Sequence, residues 1–508
     1  RCMDRVLPPE LSARVDREGS TLERGPGGEL TVRRHPALEQ ARLALAELGL
    51  FRIFLPEDVG GFDLPLALYF LSVQQISAHD TSLALIFLVH GNAMYGIHRY
   101  GSEEQRRRYL PPLASGEQLA TVAFTEPLAG SDAGLIHTRA RREGEAWVLT
   151  GEKLFITNGG DADILITTAR TGPLSREING VSAFILEREA DGVEVVGLED
   201  KTGLAGSPTA ALAYNEVRVP AHRLLHQEGK GGVVMFAGVG MTRVNIAAQA
   251  LGIAKRALAG AVAFAQQRVQ GGRRILEHDA ILQRLAGVVF TVSAMENLIC
   301  LVSDLEDQGA WHVLEMSICK YHASEALQPL TSQAMAVLGG YGVCREYGVE
   351  RCRREAAALP LYGGTSEIQW YIISRELLGA LDGSSRVDYR ARGQARCQEL
   401  ARRADPEQAP LAQRMIRAHE RLWAGAEQVA AAVEPAPLFR PLTELAVAVT
   451  VAQALLWQGT GEQADDMDRL LSARGVEEME RALALHEPVI QGGDPGAALK
   501  AALFERLG

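Results

Sequence analysis

The sequence predicts a mainly α-helical chain with a small β domain in its middle, and three observations carry that expectation. Apolar residues recur at helical spacing through residues 1–120. Short β-rich runs separated by Gly and Asp replace them in residues 121–225. After Pro220 the helical period returns, persists through 226–382, and is followed by an Ala- and Arg-rich helical region over 383–508. The expected order is an N-terminal helical domain, a central β-barrel-like domain, a four-helix bundle and a C-terminal helical extension.

In the first region Leu38, Ala41, Leu45 and Leu48 share one helical face, and residues 66–100 hold further helical stretches. Between them Pro56-Glu57-Asp58-Val59-Gly60-Gly61 reads as a turn. Strands are predicted over 119–124, 147–150, 163–168, 181–186 and 211–219, and long helices over 241–267, 278–305, 311–338 and 366–378. Four such helices bury one another as a bundle. Asp382-Gly383-Ser384-Ser385-Arg386-Val387-Asp388 reads as a linker; beyond it, Pro435-Ala436-Pro437 and Pro441 separate a long charged helix from an apolar one over 445–456. No internal repeat of fixed period is present.

Composition narrows the function classes. A chain of 508 residues that is 47% hydrophobic buries a large core and divides into several domains. Lys and Arg total 52 against 63 Asp and Glu, and the net charge of −11 excludes a general affinity for nucleic acid. Six cysteines lie apart with no Cys-x-x-Cys, which argues against a disulfide framework or a metal site and for a reducing cytoplasm. No apolar run is read as reaching the about 18 to 20 residues of a spanning helix, and the N-terminus lacks a signal-peptide pattern. The opening Arg1-Cys2 has no initiator Met, so a little trimmed or tag-derived sequence is expected there.

Three segments carry chemistry. Ala123-Phe124-Thr125-Glu126-Pro127-Leu128-Ala129-Gly130-Ser131-Asp132 and Leu154-Phe155-Ile156-Thr157-Asn158-Gly159 place hydroxyls and open amides beside strand-to-turn transitions. There they can hydrogen-bond a cofactor's polar edge or simply cap turns. The third runs from Gly339-Gly340-Tyr341-Gly342 to Leu361-Tyr362-Gly363-Gly364-Thr365-Ser366-Glu367-Ile368-Gln369. Its Gly-Thr-Ser-Glu before an apolar run is a helix N-terminus, able to cap itself and to receive a phosphate.

Taken in order, these segments resemble the signatures of acyl-CoA dehydrogenases, a likeness covering roughly residues 35–380. The resemblance implies FAD as cofactor, with Thr125, Phe155, Thr157, Gly340, Thr365 and Glu367 at the flavin and Arg268 reaching the flavin of a neighbouring subunit. Ser131 and Arg243 would contact the acyl-CoA. It also implies an acyl thioester on CoA or a carrier protein as substrate, an electron-transfer flavoprotein as acceptor, and a homodimer or higher assembly. The C-terminal region resembles, in position and helical character, the extra domain of the very-long-chain branch.

One residue breaks the pattern. Where the family carries its catalytic glutamate, as Tyr-Glu-Gly-Thr, this chain has Gly363, which can transfer no proton. The family's second base position, just before the arginine matched by Arg243, is Thr242. The pattern Arg-x-x-Phe-Gly becomes Arg268-Val269-Gln270-Gly271-Gly272, a usual glutamine becomes Ala336, and a usual acidic residue becomes Gly240. Tyr362 is a weak substitute base, its phenol titrating near ~10. His90, His98 and His137 lie in the domains that line such sites but read first as structural hydrogen-bonders. Arg351, Arg353 and Arg354 with Glu350 and Glu355 read as a solvated helix face. The expected function is an FAD-dependent acyl-thioester dehydrogenase-like oxidoreductase lacking its usual base. A flavin monooxygenase or oxidase of the same fold, and a non-redox lyase, isomerase or inactive homologue, are the alternatives.

Overall fold

The structure is a computed structural model that describes residues 2–175, 178–310, 312–432, 436–460 and 464–492. It divides into two compact units, Arg1–Ala261 with Leu338–Leu359, and Val262–Val337 with Pro360–Gly508.

In the first unit the helices Pro36–Glu47, Leu66–His79, Thr81–Tyr100 and Glu103–Ala114 form the N-terminal layer. Thr81–Tyr100 is buried along nearly its whole length. Asp80 starts it by accepting from the Leu83 amide at 2.9 Å, and Ser102 with Gln105 forms a capping box on the next helix. The region read as wholly helical also holds a hairpin, Thr21–Arg24 paired with Leu30–Arg33. Gly25-Pro26-Gly27-Gly28 marks its turn, but Thr21–Arg24 lacks apolar alternation and Leu30-Thr31-Val32-Arg33 alternates over only four residues, too short a run to stand out as a strand.

The β domain is one eight-stranded sheet in the order Leu224–Leu225, Val181–Glu187, Ile164–Arg170, Arg139–Glu143, Ala146–Thr157, Thr209–Pro220, Glu194–Leu198, with Ala120–Ala123 pairing parallel to Ile164–Arg170. Trp147, Leu149, Leu165, Phe184, Leu212 and Tyr214 fill its core. The central pair, Ala146–Thr157 with Thr209–Pro220, shifts register between Lys153 and Ile156. Each predicted strand overlaps an observed one, with 119–124 overrunning Ala120–Ala123 and 163–168 starting one residue before Ile164–Arg170; 139–143, 194–198 and 224–225 were missed, being short or polar.

Charge as well as apolar packing ties the first unit's distant segments. The helix Val349–Ala356 is not a solvated face: Arg351 is 7% exposed and Glu355 0%. Arg351 donates to Asp80 at 2.9 Å, to Glu355 at 2.7 Å, and to the Ser12 hydroxyl and carbonyl at 2.8 and 3.0 Å. Arg256 and Thr81 also bond Glu355, and Arg354 reaches Asp16 at 2.7 Å. The partners Ser12, Asp16, Asp80 and Arg256 are remote in sequence, so local patterning could not show that this face is covered.

In the second unit the apolar helix Phe439–Gly459 is the hub, packed by Asp466–Gly492, Ala409–Ala431, Asp279–Asp307 and Ser366–Asp382. Extension and bundle helices therefore share one core. The helix begins before the predicted 445, with Pro441 tolerated in its first turn, where its missing N–H has no partner to lose; Pro435 lies outside the described residues, as do Trp311 and Arg1. The linker over 382–388 is a tight turn, with Gly383 at φ 76° ending one helix and Asp388 accepting from the Ala391 amide at 2.9 Å to start Tyr389–Arg403.

Gly231–Gln267, Asp279–Asp307 and Ala436–Gly459 are long and apolar enough to cross a membrane, contrary to expectation. Scattered polar residues hid these windows from a search for unbroken apolar runs. The apolar window is 72% buried within the fold in the first and third, and 44% in Asp279–Asp307.

Arg351→Met should lower stability by about 3–5 kcal/mol, because it leaves buried carboxylates without their cation. Arg33→Met, which breaks the exposed pair with Glu23, should cost about 1 kcal/mol or less. Urea titrations of the two variants check the contrast.

Candidate active site

The β domain builds the first part of the site around one buried ion pair. Lys153, 1% exposed, points from its strand into the domain and donates to Glu126 at 2.7 Å, to the Phe124 carbonyl at 3.2 Å and to the Thr168 hydroxyl at 3.3 Å. Glu126 also accepts from the amides of His137 at 2.6 Å and Thr138 at 3.2 Å. Its backbone exchanges hydrogen bonds with Ala129, closing a turn over Pro127 and Leu128 just before Ser131, which is exposed. Burial opposes ionisation of Glu126, but the Lys153 charge and these donors outweigh it and hold the carboxyl below its usual range. Burial draws the Lys153 ammonium down to about 8. The sequence reading missed both residues; a lysine within a strand of otherwise inward apolar residues was the available signal.

This clamp places the expected flavin-side residues together. The Leu154 amide donates to the Thr125 carbonyl at 2.9 Å, and the Thr121 hydroxyl donates to the Thr157 carbonyl at 2.5 Å. At the register shift Phe155 adopts φ 58°, which turns its ring outward to 58% exposure. An exposed aromatic ring flanked by hydroxyls and held in a left-handed conformation fits a flat, partly polar ring system such as a flavin, and Thr125, Phe155 and Thr157 would hold it.

On the helix Gly231–Gln267, the Thr242 hydroxyl is engaged: it accepts from Asn92 at 2.9 Å and donates to the Gly238 carbonyl at 2.7 Å, while Asn245 donates to Asn92 at 3.0 Å. Arg243 beside it is buried. His90 is no base either. Its Nδ1 accepts from the Ala120 amide at 2.9 Å, its Nε2 donates to the Leu113 carbonyl at 3.1 Å, and burial lowers its pKa to about 3. Burial also lowers His98, and His137 is exposed with Nδ1 against the Leu135 carbonyl. Gly340 lies exposed in the 3-10 turn Gly339–Val343.

The second unit carries Arg268, Tyr362, Gly363, Thr365 and Glu367. Arg268 is exposed before a small hairpin, Val269–Gln270 with Arg273–Arg274, whose turn is Gly271 at φ 60° and Gly272 at φ 80°. Two left-handed residues in a two-residue loop explain that glycine pair. Gly363 and Gly364 have φ 65° and 85°, a conformation that disfavours any side chain. The Gly364 carbonyl accepts from Lys320 at 2.9 Å and from Gln369 at 3.0 Å, and Gln369 also reaches the Gly363 carbonyl at 3.3 Å. Thr365 caps the helix Ser366–Asp382, Tyr362 is half-buried and Glu367 is exposed. Among the described residues no group of His, Cys, Asp and Glu could hold a metal ion.

Lys153→Met should destabilise the protein by about 3–5 kcal/mol by stranding a buried carboxylate, and Lys153→Met with Glu126→Gln should recover part of that loss. Because the folded carboxyl titrates below its unfolded value, its contribution is complete above the unfolded pKa of about 4.3 and is lost as pH falls through the lowered folded value. Thermal midpoints measured from pH 7 to pH 3 should therefore fall less steeply for Glu126→Gln than for the unaltered protein.

Sequence profiles of the acyl-CoA dehydrogenase N-terminal, middle and C-terminal domains match residues 31–117, 121–217 and 229–378. An acyl-CoA dehydrogenase of Bacillus subtilis (strain 168) is 39% identical over 73% of this chain and 97% of its own length. An acryloyl-CoA reductase (NADH) of Anaerotignum propionicum is 34% identical over 73% of this chain and 94% of that one. A crystal structure of an acyl-CoA dehydrogenase complexed with FAD from Bacillus anthracis superposes with a TM-score of 0.81 at 26% identity, over 92% of this chain and 85% of that one. That coverage takes in most of the helices after residue 382. Fold, ordered motifs and relatives agree, and the chain belongs to the acyl-CoA dehydrogenase family of FAD-binding oxidoreductases.

Proposed function

We propose that this protein is an FAD-dependent acyl-thioester dehydrogenase that works without a protein carboxylate as α-proton base, on an acyl-CoA or a carrier-protein thioester. The carrying observation is Gly363, set with Gly364 in a left-handed turn and preceding an intact Thr-Ser-Glu helix start. When bound, FAD supplies the acceptor for the substrate's β-hydride. The chain supplies position: Thr125, Phe155 and Thr157 hold the ring side, Thr365 and Glu367 border the flavin's sugar-phosphate portion, and Ser131 and Arg243 take the thioester tail.

With Thr242 engaged in the Asn92 network and His90 locked neutral, the α-proton passes to water. Loss of a general base typically costs only ~10² to 10⁴-fold, so a substrate with an acidified α-hydrogen restores useful rates. Amide donors at the thioester carbonyl stabilise the enolate and do not depend on a carboxylate. The incompletely covered apolar helix Asp279–Asp307 supports self-association, with Arg268 contributed to a second subunit's flavin. An electron-transfer flavoprotein is the proposed acceptor, and the cytoplasm the proposed compartment.

The purified protein should carry non-covalent FAD; a protein that stays colourless after reconstitution with excess FAD overturns the reading. Light scattering at micromolar concentration should give at least a dimer, and a monomer would remove the role given to Arg268. Gly363→Glu should lose about 1–2 kcal/mol of stability from the left-handed backbone. The same variant should bleach its flavin with a simple acyl-CoA about tenfold or more faster than the unaltered protein. A variant that holds FAD, binds the thioester and reduces flavin no faster shows that the α-carbon does not lie against residue 363.

A further inference from the structure

Lys320 is fully buried in the helix Val313–Leu338, and its Nζ donates to the Pro360 carbonyl at 3.2 Å and to the Gly364 carbonyl at 2.9 Å. Gln369, also fully buried, donates from the next helix to the Gly364 carbonyl at 3.0 Å and the Gly363 carbonyl at 3.3 Å. Two interior polar side chains thus converge on one five-residue span of backbone, 360–364. Burying an amine where leucine or methionine would pack is costly, and two adjacent glycines are the most mobile backbone a loop can have.

The direction of these bonds gives them meaning. In a planar trans peptide the N–H points away from the C=O. With the carbonyls of Gly363 and Gly364 drawn towards Gln369 and Lys320, the amides of Gly364 and Thr365 face the opposite way. Among the described residues no acceptor meets these two amides. They lie at the position where the family carries its base and at the N-terminus of Ser366–Asp382, where the helix dipole adds positive potential.

We infer that Lys320 is a positioning residue which, acting through the carbonyls of Pro360 and Gly364 and aided by Gln369, fixes the amide donors of Gly364 and Thr365 for the thioester oxygen as it becomes an enolate. The inference rests on the acyl-thioester reading. In the step concerned, the α-carbon loses a proton to water and its electron pair moves onto the thioester oxygen; no oxidant is required. With no carboxylate at residue 363, this fixed set of donors is the part of the reaction that the chain itself retains.

The test uses the FAD-loaded protein and acetoacetyl-CoA, which enolises without being oxidised. Its enolate absorbance is titrated against pH, free and bound, in the unaltered protein, Lys320→Met and Lys320→Arg. The unaltered protein should raise the enolate-to-keto ratio of the bound probe. Lys320→Met should lower that ratio about 10- to 100-fold while retaining FAD and binding the probe within threefold, and Lys320→Arg should recover part of it. Should Lys320→Met fail to fold, Gln369→Met carries the same expectation. A Lys320→Met protein that enolises the probe as well as the unaltered one, whatever its thermal stability, overturns the inference alone. If the unaltered protein binds the probe and leaves its enolisation unchanged, the acyl-thioester reading falls with it.

Discussion

Segments from four places in the sequence meet at one guanidinium and the carboxylate it holds. Arg351 joins Ser12 and Asp16 of an N-terminal helix, Asp80 at the head of the buried helix Thr81–Tyr100, and Glu355 one turn away, where Arg256 and Thr81 also meet. Asp80 serves twice, as helix cap and as counter-ion. Burial of this many charges is tolerable only because each finds a partner, and the loss of any one strands the others. The first unit's helices are therefore fixed in position as well as packed, since apolar contact alone leaves sliding permitted that directional charge pairing does not.

The β domain repeats that strategy at smaller scale and closer to the chemistry. Glu126 and Lys153 contribute nothing at the protein surface, yet between them they hold the turn carrying Thr125 and Ser131 against the strand carrying Phe155 and Thr157. The left-handed Phe155 is strained backbone of the kind that survives only where its surroundings are over-determined, and this ion pair with its four further donors and acceptors supplies that determination.

Residue 363 is a glycine directly before the Gly-Thr-Ser-Glu start of the helix Ser366–Asp382. A glycine pair in left-handed conformation gives a turn that a side chain would strain, and Lys320 with Gln369 stiffens it from beneath. On the proposed reading, such a site relies on positioning and electrostatics rather than on a side-chain base. That reading suits substrates that surrender their α-proton readily, because the β-hydride leaves only as the α-proton is lost.

The sequence by itself determined the fold class and the family, because helical and strand periodicities are local and three ordered motifs are specific in combination. It also shows Gly363, a residue with no side chain to move a proton, within the third of those motifs. It could not show that the Arg351 helix is covered, that Thr242 and His90 are already engaged, or that Lys153 and Lys320 point inward. Each of those facts depends on a partner tens to hundreds of residues away: Asp80 for Arg351, Asn92 for Thr242, Glu126 for Lys153, Gly364 for Lys320. Nor could it show that Phe439–Gly459 completes the core of the bundle helices. Periodicity states that a face is apolar or charged, and only the tertiary structure decides what lies against it.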